Sequence, residues 1–173
     1  MFKPLFSGMP VLDCSIILVQ HMPGYINANI ATSIGQLTRM KVKLAENEES
    51  IEKGIIYVAP SGMHLRLREN RKIVLTGREK VNFCCPSIDV AMESVAADPS
   101  IVIAGAVLTG MGKDGAQGIV HLKRIGAVTM AQDEASSIIF GMPKTAIATG
   151  CVDFVLSPEQ MKEKLTELFR QHP

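Results

Sequence analysis

Short apolar runs that alternate with longer stretches of helical spacing constrain the fold of this chain more than any other feature. Residues 15–20 (SIILVQ) form a β-branched run typical of a buried strand, and residues 27–37 follow with apolar side chains at helical intervals. The same alternation repeats toward the C-terminus. Parallel strands need a crossover connection, which is usually a helix. The alternation therefore predicts an α/β fold, a doubly wound and mostly parallel sheet with helices on both faces.

The remaining elements follow from the same periodicities. Further strands are predicted at residues 42–45, 55–59, 101–108, 127–131 and 154–156, and further helices at residues 88–97, 115–125, 144–149 and 158–170. Residues 64–68 and 72–75 alternate on either side of a polar turn, which predicts a small antiparallel hairpin. The run at 101–108 is apolar throughout, so this strand is expected to be buried on both faces. No repeat or linker interrupts the pattern, and residues 1–173 are expected to form one domain.

The composition is that of a globular domain and argues against several classes of function. With 173 residues, 47% of them hydrophobic, the chain can bury a core without a disulfide or a structural metal. A net charge of +1 argues against a nucleic-acid or anionic-membrane partner bound by charge alone. Six Phe, two Tyr and no Trp leave little for a base-stacking surface. The apolar runs are too short for membrane insertion, and residues 1–19 do not have the pattern of a secretory signal.

The four cysteines predict reduced, mostly buried thiols in a cytoplasmic protein. They lie at Cys14, Cys84, Cys85 and Cys151, and the adjacent pair lacks the C-x-x-C spacing of zinc or redox sites. No metal site and no cofactor are expected from this pattern.

A histidine directly follows the first predicted strand. His21 lies in the loop Gln20-His21-Met22-Pro23-Gly24, at the strand end where ligands bind in parallel α/β sheets. Two interpretations remain open for His21: a functional base that faces a crevice, or a side chain that only binds a neighbouring loop.

The strongest predicted strand ends in a glycine-rich loop. Residues 109–115 (TGMGKDG) match G-x-G-x-x-G, and Asp133 lies where a ribose-binding acid would be expected, which raises the hypothesis of a dinucleotide site. Asp114 weakens this hypothesis, because a carboxylate would face the pyrophosphate. A neighbouring cation explains Asp114 better. Asp133 and Glu134 could bind a metal at the next strand end, or could simply cap a helix and contact solvent.

His21 and Asp114 together suggest a catalytic pair. Each follows a predicted parallel strand, so both are expected at the same edge of the sheet. A histidine base and its orienting carboxylate make up two thirds of a hydrolase triad, which also requires a nucleophile.

Five motifs in order give the chain a specific resemblance. They are VQHMP (residues 19–23), YVAPSGMH (57–64), PSID (86–89), VLTGMGKDGAQG (107–118) and AQDE with FGMP (131–134 and 140–143). In this order and approximate spacing, the chain resembles the catalytic domain of bacterial and archaeal chemotaxis protein-glutamate methylesterases.

The resemblance implies an α/β hydrolase-like domain that removes methyl esters from glutamates on chemoreceptor signalling helices and releases methanol. It implies that His21 is the general base, that Asp114 orients it, and that the backbone N–H of Met111 belongs to the oxyanion hole. It also implies methyl-accepting chemoreceptors as partners, a cytoplasmic location and no cofactor.

The sequence departs from the family pattern in three respects. The nucleophilic serine of the family lies in a G-x-S-x-G-G turn, which does not occur here, and Ser7 and Ser15 are the only serines before His21. Neither serine follows a strand or opens a helix, so no nucleophile is identified, and an N-terminally shortened domain with impaired activity is expected. The receiver domain that normally precedes the catalytic domain is likewise not expected in this chain. Cys84 stands where many relatives carry a histidine.

Two alternatives remain at this stage. Arg66, Arg68, Arg71 and Lys72 give the predicted hairpin a basic edge, which could bind an acidic receptor helix in a non-catalytic module or could simply be solvated. The dinucleotide-binding protein is the second alternative. Loss of a first strand would also expose a sheet edge, through which the chain is expected to form homo-oligomers.

Overall fold

The computed structural model describes residues 2–21, 27–77 and 79–170, and the side chains of residues 27 and 28 are outside the description. Its helices are α1 (Lys3–Phe6), α2 (Asn27–Gly35), α3 (Ile88–Glu93), α4 (Ala116–Arg124), α5 (Met142–Ala148) and α6 (Pro158–Leu168). Its strands are β1 (Ile16–Leu18), β2 (Lys41–Leu44), β3 (Ile55–Val58), β4 (His64–Arg68), β5 (Lys72–Thr76), β6 (Ala104–Val107), β7 (Val128–Gln132) and β8 (Phe154–Leu156).

The strands form two parallel sheets and one antiparallel hairpin, which confirms the predicted α/β class. The first sheet has the order β1-β3-β2 and the second the order β6-β7-β8, and every pairing within them is parallel. Strands β4 and β5 pair antiparallel, with Arg66 opposite Val74. The central strand is β3 in the first sheet and β7 in the second.

Helices cover both faces of the second sheet. On one face Met130 of β7 packs into an apolar cluster with Met161 of α6 and Phe6 of α1. On the other face Val107 of β6 packs with Ile119 of α4 and with α5. This two-sided cover explains why the strands of this sheet are predominantly apolar.

Gly105 lets α4 approach β6 closely. A Cβ built at Gly105 would lie 2.2 Å from Cδ1 of Leu122, closer than real contacts allow. The absence of a side chain at Gly105 therefore allows α4, the helix after the glycine-rich loop, to pack directly against β6.

The predicted bounds differ most from the observed ones at β6 and α3, which side chains end early. Strand β6 begins at Ala104 rather than 101, since Asp98 accepts hydrogen bonds from Ser100 and leaves Val102 58% exposed. Within β6 only Val107 is fully buried, so the expectation that the whole run is buried on both faces was wrong. Helix α3 ends at Glu93 rather than at residue 97, because the side-chain amide of Asn70 forms hydrogen bonds with both the N–H and the carbonyl oxygen of Ala96.

No helix in the described ranges is long and apolar enough to cross a membrane. The longest of them, α6, has 11 residues, against about 20 for a membrane-spanning helix. All four cysteines are free, and each is half-buried rather than mostly buried.

Candidate functional site

His21 and Asp114 come together at the carboxyl ends of strands from both parallel sheets. His21 follows β1, and Asp114 lies in the connection from β6 to α4. Nε2 of His21 is 2.7 Å from Oδ2 of Asp114, although the two residues are 93 positions apart in sequence. The side chain of His21 is 23% exposed and that of Asp114 is 2% exposed. The geometry thus pairs an accessible imidazole with a buried carboxylate.

Four further donors surround the carboxylate of Asp114. They are Oγ of Ser87 at 2.7 Å, the N–H of Ile88 at 2.6 Å, the N–H of Asp89 at 3.2 Å and Nδ2 of Asn82 at 3.2 Å. Burial by itself would raise the pKa of Asp114, but these hydrogen bonds and the one from His21 outweigh it and hold the pKa well below its usual range. Asp114 is therefore ionised at neutral pH, and Nε2 of His21 donates to it. Nδ1 of the neutral ring is left as the site that can take a proton.

The first backbone N–H groups of α3 and of α4 each donate to a carboxylate from outside their own helix: Asp114 for α3 and Asp89 for α4. Asp114, which precedes α4, accepts from the first backbone amides of α3. Asp89 of α3 accepts from the N–H of Gly115 at 2.9 Å and that of Gly118 at 2.8 Å, at the start of α4. Burial raises the pKa of Asp89. Because helix N-termini favour negative charge, the two carboxylates fix both helices and the position of Asp114 together.

A buried histidine, His64, accepts a hydrogen bond from the backbone of Ser87, which in turn contacts Asp114. The backbone N–H of Ser87 donates to Nδ1 of His64 at 3.2 Å, and Nε2 of His64 contacts the carbonyl oxygen of Glu79 at 2.6 Å. Since Nδ1 accepts, Nε2 carries the proton and donates it. His64 thereby holds Ser87, whose own hydroxyl donates to Asp114. Ser87 is fully buried, so its hydroxyl has a positioning role and not a nucleophilic one.

A tight turn at residues 81–84 places two more side chains at the site. Val81 and Cys84 exchange backbone hydrogen bonds of 3.0 and 2.9 Å, and the two central residues, Asn82 and Phe83, have φ of +51° and +64°. Two successive positive φ values are typical of a type I′ turn. Asn82 reaches Asp114 and Asp89, and Phe83 is 93% exposed beside the site.

Cys84 also lies close to His21 and Asp114. A ligand atom from each of His21, Cys84 and Asp114 lies within 4.8 Å of the other two. Burial and the charge of Asp114 raise the pKa of the Cys84 thiol, while Lys80 partly offsets them. The thiol donates to the carbonyl oxygen of Asn82 at 3.4 Å.

The glycine-rich loop presents the backbone of Met111 to solvent. Gln132 accepts from the N–H of Thr109 at 2.8 Å, and the carbonyl oxygen of Gly110 accepts from the N–H of Met142 at 2.8 Å, which fixes the loop on both sides. Within the described ranges, the Met111 N–H donates no backbone hydrogen bond. The Met111 side chain is 81% exposed. The loop therefore has a rigid frame and an open backbone donor.

The other candidates from the sequence lie elsewhere. Ser15 lies at the opposite end of β1 from His21, and Ser7 is exposed beyond α1. Asp133 accepts from the backbone N–H and the hydroxyl of Ser136, so it caps a turn and not the helix that the second interpretation expected. The side chains of Arg66, Arg68, Arg71 and Lys72 are exposed on the hairpin, with Arg68 paired to Glu48.

Sequence reasoning missed the groups that support Asp114. His64, Asn82 and Gln132 received no role, and neither Ser87 nor Asp89 was linked to Asp114. All of these except Asn82 lie in the quoted motifs YVAPSGMH, PSID and AQDE. The available signal was their occurrence inside motifs, since no local spacing relates residues 82–89 to residue 114.

The fold and the site define a class of protein: a parallel α/β domain that holds a carboxylate-oriented histidine at the carboxyl ends of its strands. The sequence profile described as CheB methylesterase matches residues 1–165 of the chain. The chain belongs to the CheB methylesterase family. In the crystal structure of the Thermotoga maritima CheB methylesterase catalytic domain, the same fold recurs with a TM-score of 0.88 and 30% identity, covering 96% of this chain and 90% of that one.

Curated relatives agree with this assignment. A protein from Photorhabdus laumondii is 39% identical over 166 residues, which is 94% of this chain and 47% of the relative. One from Pyrococcus horikoshii is 41% identical over 165 residues, which is 92% of this chain and 45% of the relative. Both are named protein-glutamate methylesterase/protein-glutamine glutaminase. The chain thus spans about half the length of the curated relatives it matches.

Proposed function

We propose that this chain is a protein-glutamate methylesterase domain, which hydrolyses methyl esters of glutamate side chains and releases methanol. The observation that carries the proposal is the 2.7 Å contact between His21 and the buried, ionised Asp114. A carboxylate in this position holds the imidazole in one tautomer and stabilises the imidazolium that forms when the ring takes a proton. The names of the relatives supply the substrate.

In the proposed mechanism, His21 activates a hydroxyl group for attack on the ester carbonyl carbon. Nδ1 of His21 takes the proton of the attacking oxygen as the new C–O bond forms, and the Met111 N–H stabilises the resulting oxyanion. One such donor contributes about 3 to 4 kcal/mol. The tetrahedral intermediate then expels methoxide, which receives the proton from His21 and leaves as methanol.

We further propose that water is the attacking group and that turnover is slow. The sequence lacks the G-x-S-x-G-G motif, and the described serines contribute no hydroxyl to His21. A triad site without its nucleophile retains about 10³ to 10⁴-fold acceleration over water from its remaining groups. The carboxylate product then forms directly, without an acyl-enzyme intermediate.

We propose methyl-accepting chemoreceptor signalling helices in the cytoplasm as the partners. The hairpin supports this by presenting Arg66, Arg71 and Lys72 on exposed positions, which would complement an acidic helix. The four free cysteines suit a reducing compartment.

Methanol release from a methylated chemoreceptor tests the activity. The wild-type chain should release methanol faster than its His21→Ala variant, with both proteins matched by circular dichroism. Equal release from the two proteins would contradict the proposed activity. Accumulation of a covalent acyl-enzyme would contradict attack by water.

Co-sedimentation with receptor tests the hairpin separately. Reversing the charges of Arg66, Arg71 and Lys72 to Glu should reduce the bound fraction, and the loss should grow at low salt. Reversal of Lys162 and Lys164 on α6 is the matched control and should leave binding unchanged. Binding that survives the hairpin reversal would remove this surface from the proposal.

A further inference from the structure

The turn at residues 81–84 brings a thiol to a histidine and a carboxylate that the proposed chemistry already uses. One ligand atom from each of His21, Cys84 and Asp114 lies within 4.8 Å of the other two. These residues come from three separate connections: the one after β1, the one before α3 and the one before α4. The proposed mechanism gives Cys84 no role.

The spacing of the three atoms is close to what a tetrahedral metal requires. Zn²⁺ binds sulfur at about 2.3 Å and nitrogen or oxygen at about 2.0 to 2.2 Å, so neighbouring ligand atoms are separated by about 3.3 to 3.8 Å. The pair His21 Nε2 and Asp114 Oδ2 would open from 2.7 Å by about half an ångström. The sulfur, at most 4.8 Å away, would close by about 1 Å.

The chemistry of the donors selects a soft divalent cation. A thiolate together with imidazole favours Zn²⁺ or Cd²⁺ and disfavours Mg²⁺, which prefers oxygen ligands. Asp114 supplies a permanent negative charge, and its other hydrogen bonds, from Ser87 and the α3 backbone, fix its orientation as supporting groups do at metal sites. The accessible face of His21 leaves room for a fourth ligand from solvent.

We propose that His21, Cys84 and Asp114 form an inhibitory binding site for a soft divalent cation of the Zn²⁺ class. Binding displaces the thiol proton of Cys84 to solvent. A metal on Nε2 of His21 moves the ring proton to Nδ1 and so blocks the lone pair that the base uses. Metal binding therefore removes the proposed general base.

Direct metal binding tests the site without reference to activity. The wild-type chain, kept reduced with a phosphine, should bind one Zn²⁺ in competition with a chromophoric chelator, and Co²⁺ should give a thiolate charge-transfer band. Cys84→Ser should abolish the band and weaken Zn²⁺ binding at least about 100-fold, the upper end of what loss of a supporting group costs. Cys151→Ser, which removes another half-buried thiol, should change neither.

Several results would overturn the proposal. Absence of a charge-transfer band in the wild-type chain would do so, as would equal Zn²⁺ affinity of the wild-type and Cys84→Ser proteins. Retention of one-to-one binding by a folded His21→Ala variant with unchanged affinity would also contradict it. Excess Mg²⁺ should not displace Zn²⁺.

Inhibition is a second readout, and it rests on the proposed function. Zn²⁺ should suppress methanol release by the wild-type chain and by Cys151→Ser but not by Cys84→Ser. If the wild-type chain releases no methanol, the proposed activity fails while the binding measurements still decide the metal site. If methanol release is present and Zn²⁺ binds without inhibiting it, the inhibitory role is wrong.

Discussion

Asp114 is the residue on which the site depends most, because it is an acceptor for five donors. An amide in its place can accept on one side only and turns an N–H toward donors on the other. Asp114→Asn should therefore lower the free energy of unfolding by about 3 to 5 kcal/mol, the range for one partner lost from a buried pair. Methanol release should fall to the level of His21→Ala, since the ring loses its orienting carboxylate.

Urea unfolding and the methanol assay measure these two effects. Asp133→Asn is the matched control, since the remaining amide oxygen can still accept from Ser136 in an accessible turn. This control should cost less than about 1 kcal/mol. A similar loss of unfolding free energy in both variants would show that the buried hydrogen bonds of Asp114 contribute no more to stability than those of an accessible carboxylate.

The depressed pKa of Asp114 predicts a specific acid sensitivity. A carboxyl whose folded pKa lies below its unfolded value of 3.8 contributes stability above about pH 4, and this contribution is lost as pH falls through the folded pKa. The wild-type unfolding free energy should therefore fall between about pH 4 and pH 2 more steeply than that of Asp114→Asn. Asp89, whose pKa is raised, protonates earlier and does not add to this loss. Parallel curves for the two proteins would contradict the prediction.

At the scale of single residues, the sequence predicts the pair but not its support. His21 and Asp114 each follow a parallel strand, and topology alone brings such positions to one edge. The contacts of Asn82, Ser87 and His64 depend on how the connection before α3 folds over that edge. Contacts between residues so far apart in sequence produce no periodic pattern by which they could be predicted.

Among the elements, the turn at residues 81–84 combines an unfavourable backbone with an exposed aromatic ring. Phe83 has φ of +64°, where a side chain costs about 1 to 2 kcal/mol and glycine avoids that cost. Because Phe83 is 93% exposed, its ring adds little to folding. Phe83→Gly should raise the unfolding free energy by about 0.5 to 1 kcal/mol after the entropy cost of glycine. We also expect it to raise KM for methylated receptor, because it removes the exposed ring next in sequence to Cys84.

Glu69→Gly gives the matched comparison for this turn. Glu69 is the first of the two central residues of the hairpin turn, whereas Phe83 is the second in its own turn. Glu69 has φ of +53°, and its side chain is exposed. It should gain similar stability with no change in KM. Destabilisation by Phe83→Gly in thermal unfolding would show that the ring has a structural role, and equal KM values for both variants would exclude a role in substrate binding.

The loop that carries Met111 depends on a close backbone approach at Gly141. A Cβ at this position would lie 2.7 Å from the carbonyl oxygen of Gly110 and 3.2 Å from Cα of Met111, and neither is a flexible side-chain end. Gly141→Ala should cost about 1 to 3 kcal/mol and reduce methanol release by displacing the Met111 N–H. Gly35→Ala, whose Cβ would meet Val42 at 3.9 Å, should change neither quantity. Unaltered activity in Gly141→Ala would contradict the oxyanion role.

Element types are predictable here, whereas their ends are not. Periodicity identifies α3 and β6 correctly, but Asn70 and Asp98 determine where these elements stop by binding nearby backbone groups. Capping by a residue that is distant in sequence, as at Ala96, cannot be found from a local window.

The whole molecule follows the strand and helix order expected from sequence, yet its parallel strands belong to two sheets. Within the described ranges, β1 pairs only with β3 and β6 only with β7. Both strands nevertheless contribute to one apolar cluster, β1 through Leu18 and β6 through Ala104 and Ala106. The alternation of elements does not specify which strands pair across the centre of the fold, because that choice depends on long-range packing.

The free sides of β1 and β6 predict self-association of the chain. Unpaired strand edges present backbone donors and acceptors that another chain can bind. Light scattering should show a monomer and dimer equilibrium that shifts with concentration, and amide hydrogen exchange at β1 and β6 should slow as the dimer forms. The central strand β7 is paired on both sides and provides an internal control, whose exchange should not depend on concentration. A monomer at every concentration, or protection confined to β8, would show that these edges do not mediate association.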